Sequence, residues 1–226
     1  MADETLWNDM TPALARFGPV QHADLRHDRS VEAMARRSLA AAPASFLLIA
    51  FSMGGYVARD IARLAPAYGK RVEALVLIAT STRPDTPAMR QRKGAVGNAA
   101  PTIAFSGLSR IAVASSLHPK EKHNEAMIER VRAMGVRLGG EVFRRQSVLE
   151  RPGDIDRLGE IACPTLVVAA AQDQLRSLEE AEELQAGIPD ASLVVVEESG
   201  HMIPIEAPQR LLEVLVPWLA EHAAGT

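Results

Sequence analysis

The chain has 226 residues, 47% of them apolar and 23% charged, with a formal charge of −3, which suits one sizeable folded core and gives no electrostatic case for nucleic acid or an anionic membrane. A single cysteine, Cys163, excludes an internal disulfide and a cysteine-based metal cluster. The acidic start Met1-Ala2-Asp3-Glu4-Thr5 lacks the regions of a signal peptide, and no apolar run reaches the length of a membrane span, so a cytoplasmic protein is expected.

Taken in chain order, residues 19–23 are a first, weakly apolar strand candidate. Residues 30–41 read as a helix, with Ser30 as N-cap and Val31, Met34, Ala35 and Leu39 on one face. The run 46–50 is short and apolar, as in a strand covered on both faces. A helix over 56–64 follows, carrying Val57, Ile61 and Leu64, and then a strand over 72–79. From Thr82 the pattern changes. Pro84, Pro87, Gly94, Gly97, Pro101 and Gly107 break the apolar runs. One helical stretch then passes through Glu125, Met127, Ile128, Val131, Met134 and Val136, and a second covers 140–149. This predicts a helical insertion over 83–153, without a strand of its own, in a core formed by 1–82 and 154–226. In that second part Cys163 precedes Pro164 at the mouth of an apolar run and reads as a small core residue. Strands are expected at 165–168 and 192–196. Between them Ser177-Leu178-Glu179-Glu180 is a capping-box pattern opening a helix that ends near Gly187. Residues 208–220 carry Leu211, Leu212, Leu215, Val216 and Leu219 as one apolar stripe, with Pro217 predicting a kink or an early end. Alternating strands and helices give an α/β fold with a doubly wound, mostly parallel sheet.

The stretch Leu48-Ile49-Ala50-Phe51-Ser52-Met53-Gly54-Gly55-Tyr56 carries the chemistry. An apolar strand runs into a serine, and a helix begins just beyond it. Such a serine sits on a strained turn at the carboxyl edge of the sheet, flanked by the small residues Ala50 and Gly54. The helix N-terminus favours negative charge there, and the Met53 N–H points toward a developing oxyanion. A serine hydroxyl needs a base. Of the six histidines, His201 closely follows a strong strand, in Val196-Glu197-Glu198-Ser199-Gly200-His201. The base needs an acid to orient it. Asp173 lies beyond the strand at 165–168, with Asp85 as the fallback.

These residues resemble the α/β-hydrolase family, in particular small bacterial esterase-like members with a helical cap. The resemblance runs from about Leu6 to Leu219 and rests on Ala50-Phe51-Ser52-Met53-Gly54-Gly55, on Asp173, and on Gly200-His201 followed by Glu206-Ala207-Pro208. It implies Ser52 as nucleophile, His201 as base and Asp173 as orienting acid, with no cofactor and no metal. A cap would line the pocket, for which Phe51, Met89, Phe105, Met127, Met134 and Phe143 are the apolar candidates. The expected partner is a small ester or acyl substrate, with self-association left open. Members of the family begin with an apolar strand and a Gly-rich loop that donates a second oxyanion N–H. The opening here resembles the segment just after that loop, so an N-terminally shortened form is expected, with weakened oxyanion binding. Three readings remain open on sequence alone. They are a serine ester hydrolase, a same-fold carbon–carbon hydrolase, lyase or cofactor-free peroxidase, and a non-catalytic binding protein.

Overall fold

The computed structural model describes residues 2–98 and 105–223, so Pro101 lies outside the described residues. The helices and strands, in chain order, are α1 (Thr11–Leu14), α2 (Val31–Ala41), β1 (Ser45–Phe51), α3 (Met53–Leu64), β2 (Arg71–Ile78), α4 (Pro87–Asn98), α5 (Arg110–Ala114), α6 (Glu125–Ser147), β3 (Thr165–Ala170), α7 (Leu178–Gly187), β4 (Ala191–Val196), α8 (Ile203–Glu206) and α9 (Pro208–His222). The four strands form one parallel sheet in the order β1-β2-β3-β4. Residues 19–23 are not a strand. They are exposed and irregular, and β1, whose only strand partner among the described residues is β2, takes no ladder bonds from them. Pro19 brings no N–H to a ladder, and five exposed residues bury too little to be held extended.

Alternation along the strands divides the core between two faces. Leu75, Leu77, Val167 and Ala169 point to one cluster with Met34 and Leu39 of α2, Val57 and Ile61 of α3, and Ala181 and Leu184 of α7. Val76, Ile78, Leu166 and Val168 point to the other, with Met10, Leu14 of α1, and Leu211, Leu215 and Leu219 of α9. Covered on both sides, β2 and β3 have no polar face to show, and hence near-continuous apolar sequences. Cys163 is buried in the first cluster, where burial pushes its thiol up, away from the reactive thiolate.

The local signals hold. Ser30 accepts the Ala33 N–H, and Ser177 with Glu180 forms a reciprocal capping box. The early end allowed for at Pro217 does not occur. α9 runs through Pro217 to His222 without ending early. That proline lies on the exposed side, where the Glu213 carbonyl it leaves unpaired can be hydrated. The two stretches expected at 125–136 and 140–149 are both helical, and within α6 they are parted at Gly139, whose φ of 80° breaks the helical path between them. Between β2 and β3 lie α4, α5 and α6. A third cluster packs Val113 and Leu117, with Ile128, Val131 and Met134 of α6, against Leu6, Met202 and Ile205. The inserted helices therefore rest on the segment around α8, beside the carboxyl edge of β4.

Candidate active site

β1 ends at Phe51 and α3 starts at Met53, leaving a single residue to reverse the chain. That residue, Ser52, takes φ 52° and ψ −115°, a conformation that costs a non-glycine residue about 1–3 kcal/mol. Its neighbours fix it there. The Ser52 N–H donates to the Ile78 carbonyl at 2.9 Å, and its own carbonyl accepts from the Gly55 N–H at 3.0 Å and the Thr80 hydroxyl at 2.7 Å. Ala50 and Gly54 do face one another, but a Cβ built at Gly54 would lie 3.9 Å from that of Ala50, an ordinary contact. The tight place is Gly55, where a Cβ would come within 2.6 Å of Thr80 Cγ2. Met53, at the first helical position, keeps its N–H out of the intrahelical ladder.

The loop after β4 brings His201 to this turn. Its Nε2 lies 2.9 Å from Ser52 Oγ, and its Nδ1 lies 2.8 Å from Asp173 Oδ2. The His201 side chain is 7% exposed and that of Asp173 is 2% exposed, so water competes little for either bond. Asp173 is itself anchored, its Oδ1 accepting the Leu175 N–H at 2.7 Å and the Arg176 N–H at 3.0 Å. If Nδ1–H donates to this carboxylate, Nε2 is left as the acceptor facing the serine hydroxyl. The Phe51 ring tilts against the imidazole, with centroids 5.1 Å apart.

Two supporting residues have no individual signal in the sequence. Gln172 N donates to the Ser199 carbonyl at 3.0 Å, and Gln172 Oε1 accepts the Ser199 N–H at 3.2 Å, tying the Asp173 loop to the His201 loop. Polar residues in turns are too common for that pairing to be read without coordinates. Asp85, the alternative acid, is engaged elsewhere, beside the Lys93 ammonium and accepting the Arg151 N–H at 3.1 Å.

The apolar pocket candidates do not form one group. Met134 is fully buried in the cluster between α6 and α8, and Met127 packs at its margin. Phe105 and Phe143 stack on each other, with centroids 4.7 Å apart. Met89, on α4, is exposed. Phe51 is the one that touches His201. Among the described residues, no group of three or more His, Cys, Asp or Glu side chains is placed to hold a metal ion. No helix there is long and apolar enough to cross a membrane.

Comparisons with known proteins bear on the fold and the family. An esterase from Thermogutta terrifontis superposes with a TM-score of 0.80 at 26% identity, over 99% of this chain and 87% of that one. A hydrolase from Pseudomonas aeruginosa gives 0.77 at 23% identity, over 96% and 86%. An enol-lactonase from Burkholderia xenovorans gives 0.74 at 16%, over 97% and 87%, a likeness of fold. Residues 7–214 match the family described as the alpha/beta hydrolase family. With a parallel sheet wound on both faces and that match over most of its length, the chain belongs to the alpha/beta hydrolase family.

Proposed function

We propose that the protein hydrolyses a carboxylic ester or a related acyl substrate, with Ser52 as nucleophile, His201 as general base and Asp173 as orienting acid. The observation that carries this reading is the unbroken path from Ser52 Oγ to His201 Nε2 and from His201 Nδ1 to Asp173 Oδ2, at 2.9 and 2.8 Å, across three separate loops. In the first step Ser52 Oγ bonds to the acyl carbon while its proton passes to Nε2. The tetrahedral oxyanion forms beside the Met53 N–H and the positive end of α3. Collapse breaks the bond to the alcohol oxygen, which leaves with the proton held on His201. Water, deprotonated by the same nitrogen, then attacks the acyl-enzyme and releases the acid and a restored serine. Asp173 keeps the imidazole in its working tautomer and stabilises the imidazolium between these transfers.

One feature favours acyl chemistry in particular: the esterase from Thermogutta terrifontis is more than a quarter identical over nearly the whole chain. The helices of 83–153, resting against the segment around α8, would serve as the cap over the site. The test is a panel of nitrophenyl esters of increasing acyl length. Turnover by the wild type should fall by roughly 10⁴–10⁶ in Ser52→Ala and in His201→Ala. Turnover unaffected by either change would refute the reading.

A further inference from the structure

Glu206, five residues beyond His201, belongs to a stretch that the mechanism above leaves without a role. α8 is a single turn, and it folds Glu206 back beneath the residues that flank His201. There its Oε1 accepts the Met202 N–H at 2.9 Å, and its Oε2 accepts the His118 N–H at 2.5 Å. The side chain thus binds the peptide that follows His201 and, in the same span, the connection between α5 and α6.

The packing leaves these groups little freedom. A Cβ built at Gly200 would come within 2.5 Å of the Leu117 carbonyl carbon and 3.1 Å of Glu206 Oε1. Here glycine is required for close approach of two backbones rather than for an unusual φ. The other titratable group at the contact is His118, 7% exposed, whose Nδ1 accepts the Lys120 N–H at 3.0 Å. Burial pushes the Glu206 carboxyl up, and the N–H groups of His118, Gly200 and Met202 pull it back only in part. A carboxylate kept where the fold resists its charge is a poor choice for stability alone.

We infer that Glu206 is a positioning residue for His201, clamping the backbone at Met202 so that the imidazole spans Ser52 and Asp173, and locking that loop to the inserted helices at His118. The inference rests on the reading of His201 as the base. Its logic is geometric. His201 must reach two partners at once, its loop has no ladder of its own, and a misplacement of about 1 Å at a reacting group costs on the order of a hundredfold in rate. Glutamine at this position has one acceptor oxygen and an NH2 group, so it cannot receive donors at both ends. Aspartate keeps the charge but is a methylene too short to span them.

The experiment compares wild type, Glu206→Gln and Glu206→Asp in two measurements, with His201→Ala to assign the imidazole signal. NMR of histidine-labelled protein follows solvent exchange of the His201 Nδ1–H, and nitrophenyl ester turnover gives kcat and KM. Both variants should exchange this proton at least tenfold faster and lose at least tenfold in kcat, with KM changed less than twofold and the melting temperature lowered by only a few degrees. Unchanged exchange and kcat in the two variants would overturn the inference. So would global unfolding of both, because the carboxylate would then hold the fold rather than this side chain. Absence of ester turnover in the wild type would count against Ser52 as nucleophile, while Nδ1–H exchange would still decide the role of Glu206.

Discussion

Ser52 concentrates the cost and the purpose of the site in one residue. Its positive φ is maintained because three hydrogen bonds, from its own N–H and to its carbonyl, over-determine the turn. Thr80 donates one of them, and Gly55 leaves room for Thr80. Gly55→Ala should therefore displace Thr80 and lower stability by about 1–3 kcal/mol through overpacking, whereas Gly54→Ala, whose added carbon meets only Ala50 at 3.9 Å, should melt close to wild type. Thermal unfolding of the two variants checks the contrast, which equal losses would contradict. In the proposed mechanism Asp173 acts through His201, so Asp173→Asn should leave the melting temperature nearly unchanged and reduce ester turnover by roughly 10⁴. At this scale the sequence was readable where a residue type and its place after a strand coincide, as for Ser52, His201 and Asp173. It did not disclose Thr80, Gln172 or Ser199, whose roles depend on loops from distant parts of the chain meeting. The constraint inferred for Gly54 belongs to its neighbour, because the close surface is the β2 loop rather than β1.

At the scale of elements, legibility followed burial. β2 and β3 are covered on both faces, so their composition alone marks them, and the helices carry caps in sequence. The segment at 19–23 misled because apolar character suffices for a strand only where a neighbour completes its hydrogen bonds, and β1 pairs among the described residues with β2 alone. The early end allowed for at Pro217 is absent for the opposite reason. The proline's cost falls on an exposed face of a helix held by Leu211, Leu215 and Leu219. Local caps should carry measurable weight. The Ser177 hydroxyl accepts the Glu180 N–H while the Glu180 carboxylate accepts the Ser177 N–H at 2.8 Å. Ser177→Ala should cost about 1 kcal/mol in denaturant unfolding, and a change below a few tenths would mean that packing alone sets the start of α7.

Over the whole molecule, a buried ionic knot ties distant segments of the chain to α3. Arg59 of α3, fully buried, donates to both oxygens of Asp154 at 2.8 Å and to the Ser81 carbonyl at 2.9 Å, and Arg63 and Thr82 bind the same carboxylate. The knot joins the helix that follows Ser52 to the chain on both sides of the inserted helices. Asp154→Asn would leave the Arg59 charge buried without its counterion, at a cost of about 3–5 kcal/mol. Burial raises the Asp154 carboxyl, but hydrogen bonds from Arg59, Thr82 and Arg63 and the charge of Arg59 outweigh it, holding it below its ordinary 3.8. With the folded value depressed, this stabilisation is present above about pH 4 and lost as pH falls through the folded value. The stability difference between wild type and Asp154→Asn should therefore shrink on acidification below pH 4, as read from denaturant midpoints, and a difference that grows would contradict it. In the proposed function the fold holds one hydroxyl against one imidazole. The most direct measurement is labelling of the folded protein with an activated phosphonate, followed by mass spectrometry of the peptides. The account predicts a single adduct on Ser52, absent in Ser52→Ala and strongly slowed in His201→Ala. Folded wild-type protein that takes no label, or a Ser52→Ala variant that takes as much, would contradict it.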